Sequence, residues 1–450
     1  MAITRRQFVT RLSTLAAAMG ASQIDLAKIT EALAHSGAWA SGGWTNKPKV
    51  VWVHGAECTG CSTSLLSLFE DVRGTAIEGT SITTLAALDL AVGGNGNGDA
   101  VLPGAPDQPG HPNGHRTLQN AGLNVDNNGN TNGAYIANIA DVLIDFIDLQ
   151  YHETVMGMGG DLAYQYLLDL MNDTAGNSTN FVLVVEGAIQ PKTGGGYWNK
   201  TTGAPWCSIG MGESSGEHSF DDVVHKLAIN SKCAAIIPIG QCATFGGYPG
   251  AVSPVLGSGQ TGAVGTQDFL TNAVTALEYT GGGAQLVADK LINVPGCPTN
   301  PWWFILSVVA WLVDATAILN ASPAPLGILG AGLKINAAAV DSTRRLKAVY
   351  GTPLHGPYCT RYQSFLNGQF ATVPGDPGCL QLLGCKGPQT MTLCGPHGWN
   401  SMNPRNDQTW DNAIAATYNG KGSNCIAAGH PCMSCTEKGY PDSFLPFVVR

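Results

Sequence analysis

The sequence is short of charge. Of its 450 residues only 12% are Asp, Glu, Lys or Arg, and the formal net charge is -9. It lacks the basic excess that tracks a phosphate backbone, which argues against nucleic acid as a partner. It also lacks a convincing membrane span. The strongest apolar run, Trp302 to Val313, is short and stops at Asp314. That run reads as a buried helix behind Pro301, because proline suits a first helical turn. The 58 glycines follow no collagen-like period. A segment at about 92–134, rich in Gly, Asn and Pro, lacks the spacing of a calcium-binding EF-hand and reads as a surface insertion. Sparse charge beside 44% hydrophobic residues implies extensive burial, including burial against a partner.

What is present begins with an export signature. Thr4-Arg5-Arg6-Gln7-Phe8 is a twin-arginine motif, followed by a modest apolar stretch from Leu12 to Ala21. Ala32-Leu33-Ala34 and Ala38-Trp39-Ala40 both suit cleavage. Residues 1–40 are therefore expected to form a twin-arginine signal region for a periplasmic protein. The plainer alternative is an amphipathic helix with two chance arginines. The twin-arginine route carries folded proteins, so a metal centre can be inserted before export. Reduced thiolates then suffer no conflict with an oxidising destination.

Short β-branched runs alternate with helical segments. Strands are predicted over Lys49–Val53, Phe181–Val185, Ala234–Ile239 and Leu291–Val294. Helices are predicted over Ser64–Val72, Asn138–Leu149, Asp161–Leu170, Phe220–Ile229, Phe269–Glu278 and Trp302–Leu319. Strands separated by helices imply right-handed crossovers and a parallel sheet, with functional groups beyond its carboxyl edge. Each predicted strand is followed by something chemical: Cys58 and Cys61, Glu186-Gly187, Cys242, and Cys297. Beyond about Pro353 the chain is rich in Gly, Pro and Cys, with little periodicity. Such a segment needs cross-links other than apolar burial, and metal clusters would supply them.

The thirteen cysteines carry the chemistry. Cys58-Thr59-Gly60-Cys61 alone fits zinc, a redox disulfide or an iron–sulfur cluster. Its surroundings favour a cluster. Cys242 and Cys297 lie at distant strand ends, in Gly240-Gln241-Cys242-Ala243-Thr244-Phe245-Gly246-Gly247 and Val294-Pro295-Gly296-Cys297-Pro298-Thr299-Asn300-Pro301. Glycine there lets backbone amides approach sulfur.

With Gly55–Cys61, Val185-Glu186-Gly187, Cys379–Pro388 and Gly429-His430-Pro431-Cys432-Met433-Ser434-Cys435, these segments resemble, in order, the small electron-transferring subunit of a nickel–iron hydrogenase. The resemblance runs from about Lys47 to Asp442. It implies an α/β fold: a flavodoxin-like parallel-sheet domain at 47–335 carrying the 92–134 insertion, then an irregular cluster-binding C-terminal domain at 336–450. It also implies three iron–sulfur clusters in a line. The proximal 4Fe–4S cluster would be held by Cys58, Cys61, Cys242 and Cys297. The distal 4Fe–4S cluster would use His355, Cys359, Cys379 and Cys385. The medial cluster would use Cys394, Cys432 and Cys435.

Three positions refine that expectation. Oxygen-tolerant relatives carry extra proximal cysteines where this chain has Gly60 and Gly247, so an ordinary proximal cluster is expected. Many relatives have proline where Cys425 stands, leaving a 3Fe–4S medial cluster. Here Cys425 would complete a 4Fe–4S centre; the plainer reading is a free buried cysteine, and the centre is 3Fe–4S if Cys425 is not a ligand. His355 precedes Cys359 by one residue more than the family spacing, and an imidazole can replace a thiolate on iron.

Cys207 and Cys233 fall outside the ligand pattern; Cys233 reads as core. Glu57 and Glu186 read either as tuning or interface groups or as capping carboxylates. Tyr151-His152-Glu153 is read as packing against the partner.

The resemblance places the nickel–iron centre and hydrogen conversion on a large-subunit partner, so no catalytic residue is expected on this chain. The electron acceptor would be a cytochrome or a membrane quinone-linked partner, with membrane association through that partner. A dimer of heterodimers is a further option. The rivals are a quinone-reductase type of iron–sulfur subunit and an exported iron–sulfur or zinc protein without hydrogenase activity. The absence of an adjacent Cys-Cys pair counts against the first.

Overall fold

A computed structural model describes residues 49–66, 147–172, 180–191, 205–212, 216–251, 261–275, 279–319, 327–356, 359–394 and 424–449. The signal region and the 92–134 insertion lie outside these residues.

The described chain opens with strand β1 (Lys49–His54), helix α1 (Gly60–Leu66) and strand β2 (Asp148–His152). Helix α2 (Gly160–Asn172) and strand β3 (Phe181–Glu186) follow, then a hairpin of β4 (Ser208–Gly212) and β5 (Gly216–Ser219). Next come α3 (Phe220–Ile229), β6 (Cys233–Ile239), α4 (Gly240–Phe245), α5 (Thr266–Thr275), α6 (Ala284–Lys290) and α7 (Pro301–Leu319). The rest consists of short helices, single-turn 3-10 segments and isolated bridges.

The sheet order is β2–β1–β3–β6, and all three pairings are parallel. Its strands are near-continuous apolar runs, Val50-Val51-Trp52-Val53 and Phe181–Val185, as a sheet covered on both faces requires. Side-chain alternation sorts them into two cores. Val50, Trp52, Val182 and Val184 face α7, through Trp303, Phe304, Val308 and Trp311. Val51, Val53, Leu183 and Val185 face α2, α3, α5 and α6, through Leu167, Val224, Phe269 and Val287. The irregular C-terminal stretch buries Leu346, Tyr350, Leu380 and Ile426 in the first of these cores.

The register decides what the sheet presents. β1 pairs with β3 from Lys49↔Phe181 to His54↔Glu186, and β3 with β6 as far as Glu186↔Ile239. His54, Glu186 and Ile239 therefore end at one level, and the loops that follow share one edge.

Two elements differ from expectation. The helix predicted over Asn138–Leu149 ends as strand: Asp148 and Leu149 pair with Lys49 and Val50. The open edge of β1 offers backbone partners that outweigh helical spacing there; residues 138–146 lie outside the described ones. Leu291–Val294 is not a full strand but two isolated parallel bridges to β6. Ile292 and Val294 donate to the carbonyls of Ile236 and Pro238. Pro238 has no N–H to return, so the ladder is interrupted there, and the next bond back comes from Gly240 N–H to Val294 O at 2.9 Å. The β4–β5 hairpin was missed, because the glycines of β4 read as loop and β5, Gly-Glu-His-Ser, has no apolar residue.

Among the described residues no helix is long and apolar enough to cross a membrane. In α7 the interrupting Asp314 is fully buried, and its carboxylate accepts the backbone N–H groups of Ile328 and Leu329. Asp314→Ala would orphan both donors, at a cost of about 1–3 kcal/mol each. The expected result is a clearly lower unfolding midpoint in a denaturant titration, while Asp314→Asn loses less.

Candidate metal centres

At the carboxyl edge of the sheet, β1 runs into the turn that carries Cys58 and Cys61. The two cysteines bracket Thr59, which adopts a left-handed φ of 59°. The Thr59 hydroxyl donates to Glu57 Oε1 at 3.1 Å, a local bond that supports this conformation. Cys61 lies in the first turn of α1, and Glu186, at the end of β3, holds that turn. Its Oε1 accepts the N–H groups of Cys61 and Ser62 at 3.0 and 3.1 Å. Its Oε2 accepts the Ser62 hydroxyl at 2.6 Å and Trp52 Nε1–H at 3.0 Å. Glu186 is only 2% exposed, and burial raises its carboxyl above the usual carboxylate range, against the pull of the Ser62 bond.

The four strand-end cysteines converge. Burial pushes the Cys242 thiol up to about 12, and the nearby Cys297 and Cys58 sulfurs add to it. Burial pushes Cys297 to about 11, again with Cys58 adding. Cys61 is pushed well above its ordinary value by burial, then by Glu186, with Cys242 contributing. Thr299 N–H donates to Cys61 Sγ at 3.5 Å. Backbone closes around these sulfurs where side chains would not fit. A Cβ at Gly60 would lie 2.9 Å from Cys58 Sγ, and one at Gly247 equally close to Cys242 Sγ; one at Gly240 would collide with Cys61 Sγ. Gly240 and Gly247 also have positive φ, 85° and 51°.

A second group lies in the C-terminal stretch. Cys394, Cys425, Cys432 and Cys435 line one small cavity, partly open to solvent, together with Leu354, Thr390, Thr392 and Ile426. Burial pushes Cys394 up to about 12, with Cys425 adding to it. Burial also raises Cys435 well above normal, with Cys394, Cys425 and Cys432 adding. Thr390 Oγ1 lies 3.4 Å from Cys432 Sγ, and Thr392 Oγ1 3.3 Å from Cys394 Sγ. Ser434, inside this second Cys-x-x-Cys turn, has a φ of 62°, and its hydroxyl meets Thr390 Oγ1 at 2.7 Å.

A third group is more dispersed. Cys379 and Cys385 flank the 3-10 turn Leu380–Leu383, and Cys379 adds to the upward shift that burial imposes on Cys385. His355 approaches Cys385 across Gly387: a Cβ there would lie 3.5 Å from Cys385 Sγ and 3.9 Å from His355 Cβ. The His355 ring stands edge-on to Tyr362 and Phe365, and burial lowers its basicity. Arg361, two residues after Cys359, donates to the carbonyls of Asp376, Gly378 and Ile426, tying that loop to the Cys379 loop.

The second group stands between the other two. Cys297 is among the sulfurs that raise Cys435. On the far side, Cys432 N–H donates to Cys385 Sγ at 3.3 Å.

The remaining cysteines stay apart from these groups. Cys233 is 1% exposed in the core, as its strand position suggested. Cys207 packs beside the α2–α3 core and is pushed up to about 12 by burial, then by Glu153. Tyr151 and His152, read from sequence as partner-facing, are 3% and 2% exposed inside the chain itself. They belong to β2, and the sheet covers them.

His152 was missed as a site residue, and so were His54 and Ser62. His152 Nδ1 accepts from Thr154 N–H at 3.3 Å, so its proton sits on Nε2, which faces Ser62 Oγ at 3.1 Å. Ser62 passes its own proton to Glu186, completing a buried relay of hydrogen bonds. His54 Nδ1 lies 3.1 Å from Glu57 Oε1, while His54 Nε2 and Glu57 Oε2 have no partner among the described residues. His54, Glu57 and Glu186 bring ligating atoms within 4.8 Å of one another. Glu186 is a poor ligand there, because both of its oxygens already accept two hydrogen bonds. Glu57, next to Cys58, and Glu186, next to Gly187, were visible in sequence; a serine and two histidines spread between residues 54 and 152 form no pattern.

Buried, mutually repelling thiols make sense as ligands of a cation-rich core, since a metal removes their protons and supplies the missing charge. Amide and hydroxyl donors at the sulfurs fit an iron–sulfur cluster. Fold and site thus define a doubly wound α/β protein with three thiol-rich centres.

Known proteins are similar to it in sequence and fold. The family model described as NADH ubiquinone oxidoreductase, 20 Kd subunit, matches residues 133–311. The model for the C-terminal region of the NiFe/NiFeSe hydrogenase small subunit matches 350–409 and 405–448. The periplasmic [NiFeSe] hydrogenase small subunit of Desulfomicrobium baculatum is 26% identical over all of this chain and 99% of its own. The hydrogenase-2 small chain of Escherichia coli K12 is 26% identical over 97% of this chain and 77% of its own. A solved [NiFeSe] hydrogenase from Desulfovibrio vulgaris Hildenborough has the same fold, with a TM-score of 0.55 at 23% identity over 90% of this chain and 98% of its own. Over its full length the chain is similar to nickel–iron hydrogenase small subunits. The match over the C-terminal stretch sets it apart from the quinone-reductase type, whose model covers only the sheet region.

Two outcomes test the polar edge. Glu186→Ala leaves the Cys61 and Ser62 amides without acceptors, at about 1–3 kcal/mol each, and should speed their hydrogen exchange. Burial, with His54 nearby, lowers His152 from its ordinary 6.5 to about 3, so the folded state holds it neutral while the unfolded chain binds a proton. Stability present above pH 6.5 is therefore lost as pH falls toward 3, by about 1.4 kcal/mol per unit. His152→Gln should flatten that part of a pH series of unfolding midpoints.

Proposed function

We propose that this chain is the electron relay of a heterodimeric nickel–iron hydrogenase. It carries electrons between the hydrogen-converting centre of a large subunit and an external acceptor, through three iron–sulfur clusters. The carrying observation is the order of the cysteine groups. One lies at the sheet edge, one touches both neighbours, and one lies beyond, with His355 beside it.

The assignment follows those groups. Cys58, Cys61, Cys242 and Cys297 hold the proximal cluster. Cys394, Cys425, Cys432 and Cys435 hold the medial one, and His355, Cys359, Cys379 and Cys385 the distal one. Each cluster supplies one-electron redox chemistry when bound. The chain's own residues fix spacing, exclude water and hydrogen-bond the sulfurs. The shared cavity around four sulfurs favours a four-iron medial cluster over a three-iron one. Gly60 and Gly247, pressed against sulfur, fit an ordinary four-cysteine proximal cluster.

The strand order supports a flavodoxin-like first domain over 47–335: the second strand lies outside the first, and Leu291–Val294 adds a partial fifth strand beyond β6. The cluster-binding domain is assigned to 336–450. The twin-arginine motif, with relatives named periplasmic, supports export of residues beyond 40 to the periplasm. The acceptor is a cytochrome or a membrane quinone-linked partner, reached from the distal end.

Anaerobically purified protein is expected to carry nickel in a co-purifying large subunit, and about twelve irons with as many inorganic sulfides per small subunit. Oxidised wild type should show no stoichiometric three-iron EPR signal, and Cys425→Ala should produce one. A stoichiometric three-iron signal in wild type would overturn the medial assignment; absence of sulfide would overturn the relay.

A further inference from the structure

One buried cation lies between the first two cysteine groups. Arg345 is 6% exposed. Its Nε donates to Asp341 Oδ2 at 2.8 Å, and its Nη1 donates to Thr436 O and Glu437 Oε2, both at 2.9 Å. The guanidinium lies 5.4 Å from the centre of the Tyr350 ring.

Three of these partners, Thr436, Glu437 and Tyr350, lead to a cysteine. Thr436 follows Cys435. Glu437 Oε1 accepts Met391 N–H at 2.7 Å, three residues before Cys394. The Glu437 carbonyl accepts the Gln241 side chain at 2.8 Å, next to Cys242. The Tyr350 hydroxyl donates to Pro295 O at 2.8 Å, two residues before Cys297. Tyr350 also feels the Cys394 and Cys435 sulfurs. One polar cluster thus touches the loops of both the proximal and the medial groups.

A fixed charge in such a place acts on any redox group beside it. Reduction adds negative charge, and a buried cation favours the reduced form far more than a solvated one would. A thiolate-ligated iron–sulfur cluster carries net negative charge, so each added electron meets repulsion, and Arg345 opposes it.

We propose that Arg345 is a positioning residue that raises the potential of the centre held by Cys394, Cys425, Cys432 and Cys435, keeping it reducible from the proximal one. The inference rests on the ligand assignment above. Asp341 and Glu437 hold the guanidinium in place and temper its charge.

The test is an EPR-monitored redox titration of the purified heterodimer. Arg345→Met removes the charge and keeps much of the volume; the medial midpoint potential should fall while the distal one stays. Arg345→Lys should retain the wild-type value. Glu437→Gln should move the medial potential the opposite way, upward. A purely structural latch would not give shifts of opposite sign. The proposal is overturned if Arg345→Met leaves an assembled medial cluster at its wild-type potential, or if Arg345→Lys shifts it as far as methionine does. Should Arg345→Met fail to assemble, Glu437→Gln decides: a raised potential supports the proposal and an unchanged one overturns it. Wild-type protein without inorganic sulfide would instead defeat the ligand assignment, and the proposal with it. That failure is distinct from intact clusters whose potentials do not move.

Discussion

The Glu186 carboxylate is the constraint on which the rest of the site depends. It stands where β1 and β3 end together, and it is the acceptor for two amides of the Cys-x-x-Cys turn, one hydroxyl and one indole. A buried carboxylate with fewer donors would be costly. With four, it becomes a rigid joint between sheet and turn. Cys61 is thereby placed relative to β3, and β3 is placed relative to β6 and Cys242 by parallel register. Val294 and Gly296 complete the edge, accepting the N–H groups of Gly240 and Gln241 at 2.9 and 2.7 Å. Convergence of four distant cysteines is thus a property of the sheet, transmitted through one side chain and a few loop bonds.

The C-terminal stretch solves the same problem without a sheet. Its cysteines sit on turns held by single hydrogen bonds and by two arginines: Arg345, which is salt-bridged, and Arg361, which donates to backbone carbonyls. Its apolar residues share the core beneath α7, so it is anchored to the sheet domain from below and linked to it sideways by the Arg345–Glu437–Gln241 chain. Without bound metal, burial keeps these thiols protonated, and they count as small weakly polar core groups. With metal, they become cross-links in a stretch that has little regular structure.

Much of this was legible in the sequence, for physical reasons. Continuous β-branched runs mark buried parallel strands, so β1, β3 and β6 could be placed within a residue or so. Helix Phe220–Ile229 was legible to the residue because its apolar spacing is clean and Asn230 ends it. Cysteines following strand ends are informative because a parallel sheet gathers those ends. What escaped was whatever depends on register or on long-range polar pairing. The edge strand β2 alternates Leu149 and Tyr151 with polar residues, but over five residues that signal is outweighed by the helical spacing before it, and the strand exists because β1 has a free side. The Ser62–His152–Glu186 relay joins residues with no sequence pattern. The partial strand at 291–294 depends on the missing N–H of Pro238. Arg344 and Arg345 are neighbours in sequence with nothing to tell them apart; only the fold shows that Arg345 is buried and Arg344 is not.

The scarcity of charge acquires a meaning in this light. A chain with 12% charged residues has placed several of them in its interior, beside sulfur. At the sheet edge these are Glu186, Glu57 and His54; between the first two groups they are Arg345, Asp341 and Glu437. Charges in water act over a Debye length and fade with salt, whereas buried ones are screened little. A relay tuned by buried charges holds its internal energy levels fixed while ionic strength changes around it. Salt can then alter how the chain meets an acceptor, which is a surface matter, without altering the order in which its centres accept electrons.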